Sequence, residues 1–186
     1  MKRYINEFVK LNCASDLLEL KLFPNAKEIT ESMGAFHAVR SVILPETGIR
    51  RDDPGITLVS VGDGCMPRTA ALFAFLTKWQ CYSVDPQLRE TPYSIKQLVT
   101  HPIERLTVYQ KEIEDVIICS AGATIVVCVH SHVPLPLVLP QIRGRPRHVV
   151  AIPCCVPQDI PGKMYRGYVD RNIWSPKNEV KIWLNV

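Results

Sequence analysis

Residues 56–75 read Ile-Thr-Leu-Val-Ser-Val-Gly-Asp-Gly-Cys-Met-Pro-Arg-Thr-Ala-Ala-Leu-Phe-Ala-Phe, and Cys81-Tyr-Ser-Val-Asp85 follows. Ile56 to Val61 is a short, largely apolar and β-branched run, as a parallel strand covered on both faces requires. Gly62 and Gly64 let the backbone turn sharply and approach a ligand closely, because neither carries a Cβ. Pro67 suits the first position of a helix, where its missing N–H leaves no bond unmade. Asp85 lies 21 residues beyond Gly64, where a nucleotide-binding βαβ unit carries the acid that grips ribose hydroxyls. Strand, glycine turn, helix, strand and carboxylate together point to a site for a nucleoside-bearing cofactor.

The 186 residues suit one domain, with added helices over 1–45 and an α/β core over 56–186. No apolar run reaches the length of a membrane span, so no membrane partner is expected. The seven cysteines are an odd number, and Cys119 and Cys128 sit inside apolar runs. That pattern suits buried thiols in a reducing compartment, cytoplasmic or nuclear, better than a disulfide framework. A net charge of +4 permits nucleic-acid binding without demanding it.

Periodicity predicts helix over 3–44, interrupted at Pro24-Asn25, with Ala35, Phe36, Val39, Val42 and Ile43 on one apolar face. Residues 45–55 read as a polar linker. A helix over Arg68 to Lys78 should bury Ala71, Leu72, Phe75 and Leu76. A short helix is expected around Ile95 to Val99. Further strands are predicted at Leu106–Gln110, Thr124–His130 and His148–Pro153. Tyr165–Trp174 and Glu179–Val186 read as an antiparallel hairpin around a four-residue turn, Ser175–Asn178.

The expected fold is therefore a doubly wound, mostly parallel Rossmann-like α/β sheet with a C-terminal antiparallel hairpin and added N-terminal helices. Ligands of such sheets bind beyond the carboxyl ends of the strands. Those ends here carry Gly62–Cys65, Asp85, Lys111–Asp115, His130–His132 and Pro153–Cys155.

The element order and the glycine turn resemble the S-adenosylmethionine-dependent methyltransferases. Ser60 stands at the position of that family's motif I acid, and Met66 at its third glycine. His130, Cys154 and Cys155 are similar to a strand-end histidine and a Cys-Cys pair in a group of those enzymes linked to RNA modification. His132 and Val133 replace that group's cysteine and glycine. The resemblance implies methyl transfer from S-adenosylmethionine, possible acceptors including RNA. Gly62, Asp63, Gly64 and Asp85 would then bind cofactor, with Glu112 or Asp115 at the adenine. His130 and His132 would line the acceptor pocket, either serving as general base.

Two other functional classes stay open. One is a methyltransferase-like binding or assembly module, with a protein partner, that has lost catalysis. The other is a NAD-type oxidoreductase, for whose substrate domain few residues remain. Cys154 after Pro153 also resembles the nucleophile of RNA cytosine-C5 methyltransferases, but the Pro-Cys pair those enzymes carry after strand four is missing, and a structural thiol is expected. His130, His132, Cys154 and Cys155 offer four soft metal ligands, but without a CxxC pair no metal is expected. Arg143-Gly-Arg-Pro-Arg147 resembles an AT-hook core and reads as a solvated turn. With Lys163, Arg166 and Arg171 these arginines are expected to form a basic rim for a phosphate-bearing partner such as RNA.

Overall fold

Thr57–Val61 forms β1, buried on both faces at the centre of a seven-stranded sheet in a computed structural model that describes residues 3–88 and 103–186. Its neighbours are β2 (Gln80–Val84) on one side and β5 (Thr124–Val129) on the other. Outside them lie β3 (Leu106–Tyr109) and β7 (Arg147–Ile152), all five strands parallel. β9 (Glu179–Trp183) runs antiparallel to β7, and β8 (Arg166–Val169) closes that edge antiparallel to β9. The order β3-β2-β1-β5-β7-β9-β8 is the doubly wound arrangement expected from the sequence. Two-residue β4 (Ile118–Cys119) and β6 (Ile142–Arg143) pair in parallel as a separate ribbon that the sequence reading did not anticipate.

Alternation along the central strands divides the interior in two. Leu58, Ile125, Val127, Val150 and Ile152 face one core, and Val59, Val61, Val126, Cys128, Val149 and Ala151 the other. The first core is roofed by α1 (Arg3–Phe8), α2 (Ala14–Glu19), α3 (Ala26–Ala38) and α5 (Arg68–Leu76). On the second, Ile113, Leu135, Val138 and Trp183 pack against the sheet.

The N-terminal helices differ from expectation in their joints. The first predicted helix is broken between Phe8 and Ala14. The second continues past Ala38 through a π-helical turn, Val39–Ile43, into α4 (Leu44–Thr47). Pro45 sits at the head of α4, and the wider turn before it relieves the clash a proline ring makes with the carbonyl four residues back. Helix thus takes the first residues of the predicted linker.

Helix α5 is buried almost all round, including Thr69, Ala70, Phe73 and Ala74, while Phe75 and Leu76 are only half-buried. The cause is α3 lying across its outer side. Phe36 meets Phe73 edge to face at 5.2 Å between ring centroids, and the Ser32 and Thr69 hydroxyls are 2.9 Å apart. The predicted four-residue hairpin turn is instead a nine-residue connection, 170–178, from Val169 to Glu179. It is held by tertiary bonds, so alternation within the strands could not reveal its length. The predicted short helix at Ile95–Val99 lies outside the described residues. Among the described residues no helix is long and apolar enough to cross a membrane.

Candidate functional site

The turn after β1 is shaped by contacts that only glycine permits. Gly62 has φ +78°, and a Cβ there would lie 2.6–2.8 Å from Oγ, Cβ and Cα of Ser131, in the turn after β5. Gly64, at φ +76°, has Arg68 above it, and a Cβ would be 3.4 Å from the guanidinium. Arg68 in turn pairs with Glu28 of α3. The added helix therefore reaches the glycine turn through an ion pair.

Asp85 stands where the sequence placed it, at the carboxyl end of β2. Its Oδ2 accepts the Gly64 N–H at 2.7 Å and its Oδ1 the Gln87 N–H at 2.7 Å. A carboxylate offers roughly four acceptor positions, and the described residues take two of them. Asp63, also expected at the cofactor, is bonded within the fold. It is 2% exposed and accepts from the N–H groups of Thr69 and Ala70 and from the Ser83 hydroxyl. Those two N–H groups belong to the first turn of α5, so Asp63 caps the helix from the loop. Ser60, in place of an acid, is buried with its hydroxyl unpartnered among the described residues. Glu112 and Asp115 are exposed just beyond β3, at the same sheet edge.

The end of β5 separates the two candidate histidines. His130 adopts φ +52°, a left-handed conformation that few non-glycine residues occupy. Its Nδ1 lies 3.5 Å from Glu31 of α3, and its Nε2 lies 3.0 Å from the Lys177 carbonyl in the β8–β9 connection. Both ring nitrogens thus face acceptors belonging to the fold, and His130 clamps three elements together. A base must have a free lone pair aimed at substrate. That requirement argues against the catalytic role expected for His130, whereas His132 is exposed and turned to solvent. Between them Ser131 points inward against Gly62.

Sequence reasoning missed Glu31, Arg68 and Gln158. Glu31 is 4% exposed, and also lies 3.2 Å from Lys27 Nζ. The available signal was a carboxylate one helical turn before Ala35 on the apolar face of α3. Gln158 is fully buried, and its Nε2 donates to the carbonyls of Ser131 and Val133, on either side of His132. The loop after β7 is thereby fastened to the loop after β5. Cys154 and Cys155 in that loop have sulfurs 3.5 Å apart, and the Cys154 thiol also donates to the His130 carbonyl. Sharing a hydrogen bond with Cys154 raises the pKa of Cys155. Cys128 is buried as expected and so is Cys81, and desolvation pushes both thiols up to about 12. Cys119 is exposed on the edge ribbon instead of buried.

The expected basic rim is divided between two edges. Arg147 begins β7 and donates to the carbonyls of Val186, Leu139 and Ile142, so it is a structural tie. Arg143 and Arg145 are exposed beside it, at the amino end of β7. Five rises of ~3.3 Å between Arg147 and Ile152 put that edge about 17 Å from the carboxyl ends. Arg171 follows β8, which runs parallel to β7, and so lies at the carboxyl edge.

No family model and no curated protein matches this sequence. Solved structures do resemble the fold. A SAM-dependent methyltransferase from Aquifex aeolicus aligns with TM-score 0.52 at 11% identity, covering 87% of this chain and all of that one. A mutant of MtNAS in complex with S-adenosylmethionine aligns with TM-score 0.51 at 12% identity over 98% of this chain and 70% of its own. The fold is that of the Rossmann-like S-adenosylmethionine-dependent methyltransferases.

Proposed function

We propose that this chain binds S-adenosylmethionine at the carboxyl edge of its sheet and transfers the methyl group to an acceptor. The observation that carries the reading is Asp85, hydrogen-bonded to Gly64 N–H across the β1 and β2 exits. The reading is supported by a carboxylate beside the glycine turn with acceptor positions that no described residue fills, at the edge where ribose hydroxyls are held in this sheet order. Methyl transfer is an in-line displacement at a sulfonium carbon, so alignment and exclusion of water supply most of the acceleration. We assign the acceptor contact to His132, which is exposed after β5.

RNA is the acceptor class we propose to test. Arg143 and Arg145 would hold a flanking segment on the far edge, with Arg171 nearer the reacting nucleotide. A non-catalytic binding module is the second reading. It is favoured by one observation, that His130 Nε2 is hydrogen-bonded to the Lys177 carbonyl while its Nδ1 faces Glu31.

Calorimetry with S-adenosylhomocysteine tests the cofactor assignment. Wild-type protein should bind, and Asp85→Asn should weaken binding by about 1–3 kcal/mol while keeping the loop's shape. Absence of wild-type binding at millimolar ligand would overturn the proposal. Release of S-adenosylhomocysteine with pooled RNA as acceptor separates enzyme from module: turnover lost in His132→Ala supports the enzyme, and binding without turnover supports the module.

A further inference from the structure

His132, Cys154 and Cys155 converge although they come from two different loops. Their ligand atoms, one imidazole nitrogen and two sulfurs, all lie within 4.8 Å of one another. The two sulfurs are 3.5 Å apart. A tetrahedral zinc ion with Zn–S near 2.3 Å and Zn–N near 2.0 Å needs donor separations of roughly 3.5–3.8 Å. The existing spacing is therefore within about 1 Å of a coordination shell before any ion pulls on it. Adjacency in sequence, the objection to Cys154 and Cys155 as joint ligands, is answered by their sulfurs lying on one side of the loop.

The framework around the cluster is fixed more firmly than a solvent loop requires. Gln158 joins the carbonyls flanking His132 to the loop that carries both cysteines. Pro153 and Pro134 bound the two loops. Exposure of His132 and Cys155 gives an ion direct access from solvent. His130 takes no part, since Glu31 and the Lys177 carbonyl occupy its ring. Among the described residues the donor set is thus two thiolates and one imidazole, with one tetrahedral position that none of them fills. Sites of four protein ligands are structural, whereas three ligands leave a position for water or substrate.

We propose that His132, Cys154 and Cys155 bind a thiophilic divalent ion, Zn²⁺, with an exchangeable fourth ligand at the carboxyl edge of the sheet. On coordination each cysteine releases its S–H proton to solvent and binds as thiolate, and no electron is transferred. The fourth position suits water or a soft anionic group such as a thiolate. This inference rests on loop geometry alone and stands or falls independently of cofactor binding.

The full-length chain, reduced and stripped of metal, is titrated with Zn²⁺ against a chromophoric chelator. A parallel titration uses Co²⁺, whose thiolate charge-transfer band reports sulfur ligation. Wild type should take up one equivalent and show the band. Cys154→Ser and Cys155→Ser should each lose stoichiometric uptake, and His132→Ala should keep sulfur ligation with weakened affinity. Gln158→Ala, which removes no ligand, should weaken binding roughly 10- to 100-fold. Circular dichroism of the metal-free variants checks that each remains folded. Failure of wild type to bind one equivalent would overturn the proposal. So would unchanged uptake by the Cys154→Ser/Cys155→Ser double variant, which would place the ion on Cys65 or Cys119. A Cys154–Cys155 disulfide persisting under reductant would overturn it as well.

Discussion

Asp63 and Asp85 are both buried, 22 residues apart and both tied to the segment between β1 and α5, yet they do different things. Asp85 holds Gly64, and Asp63 holds the start of α5. Removing Asp63 leaves two helix N–H groups and the Ser83 hydroxyl without their acceptor. Asp63→Ala should therefore lower unfolding free energy by about 1–2 kcal/mol, read from chemical denaturation midpoints, with Asp63→Asn less affected. An unchanged midpoint would show that the loop carboxylate does not cap the helix. The sequence made Asp63 visible as an acid in a glycine turn, but not its role. A capping side chain normally sits next to its helix, whereas Asp63 reaches Thr69 from six residues away. The surroundings of His130 were hidden for a similar reason. Its partners, Glu31 and Lys177, are remote in sequence and could be found only through tertiary structure.

At the scale of elements, apolar β-branched runs identified β1, β5 and β7, because burial on both faces leaves a continuous apolar signature, and alternation identified the hairpin pair. Joints were less legible. The β8–β9 connection takes its shape from the N-terminal helices, through contacts that no local pattern encodes. Ile173 fills the space that a Cβ on Gly34 of α3 would occupy, at 2.6 Å. The Trp174 N–H donates to Thr30 Oγ1, and the Tyr4 hydroxyl donates to the Asp170 carboxylate. Burial first, and then the bond to Asp170, raise the Tyr4 pKa strongly, so the phenol is the donor at any physiological pH. Tyr4→Phe keeps the ring in place and removes only that bond. It should cost about 1.5–3 kcal/mol, as for a hydrogen bond to a charged group, and lower the melting temperature by several degrees. Because Asp170 also holds Asn172, the connection should stay folded. A wild-type melting temperature in Tyr4→Phe would mean that α1 is not anchored through this residue.

For the whole molecule, the sheet sets two edges, and function depends on which residues share one. Gly64, Asp85, Glu112, Asp115, His132, Cys154 and Arg171 share the carboxyl edge, whereas Arg143, Arg145 and Arg147 lie on the other. Strand direction was legible in the sequence, so this division could have been read from it. The hairpin's reversal makes β8 parallel to β7 and brings Arg171 to the carboxyl edge. The protein's stability should also depend on pH through groups buried away from both edges. His148, inside β7, is 1% exposed and has neither ring nitrogen partnered among the described residues, and burial lowers its pKa. His37 is lowered too, by burial first and then by the charges of Arg3 and Arg40. A histidine held neutral in the folded chain binds its proton more readily when unfolded. Its contribution is therefore complete above the unfolded pKa of about 6.5 and is lost as pH falls below it, by up to about 1.4 kcal/mol per pH unit for one proton. Unfolding free energies measured from pH 7.5 to 5 should fall in wild type and fall less steeply in His148→Leu, which cannot titrate. Carboxylates common to both proteins cancel in the comparison. Parallel pH profiles for the two proteins would show that His148 finds a proton partner in the folded state and that its burial is not what makes the fold acid-sensitive.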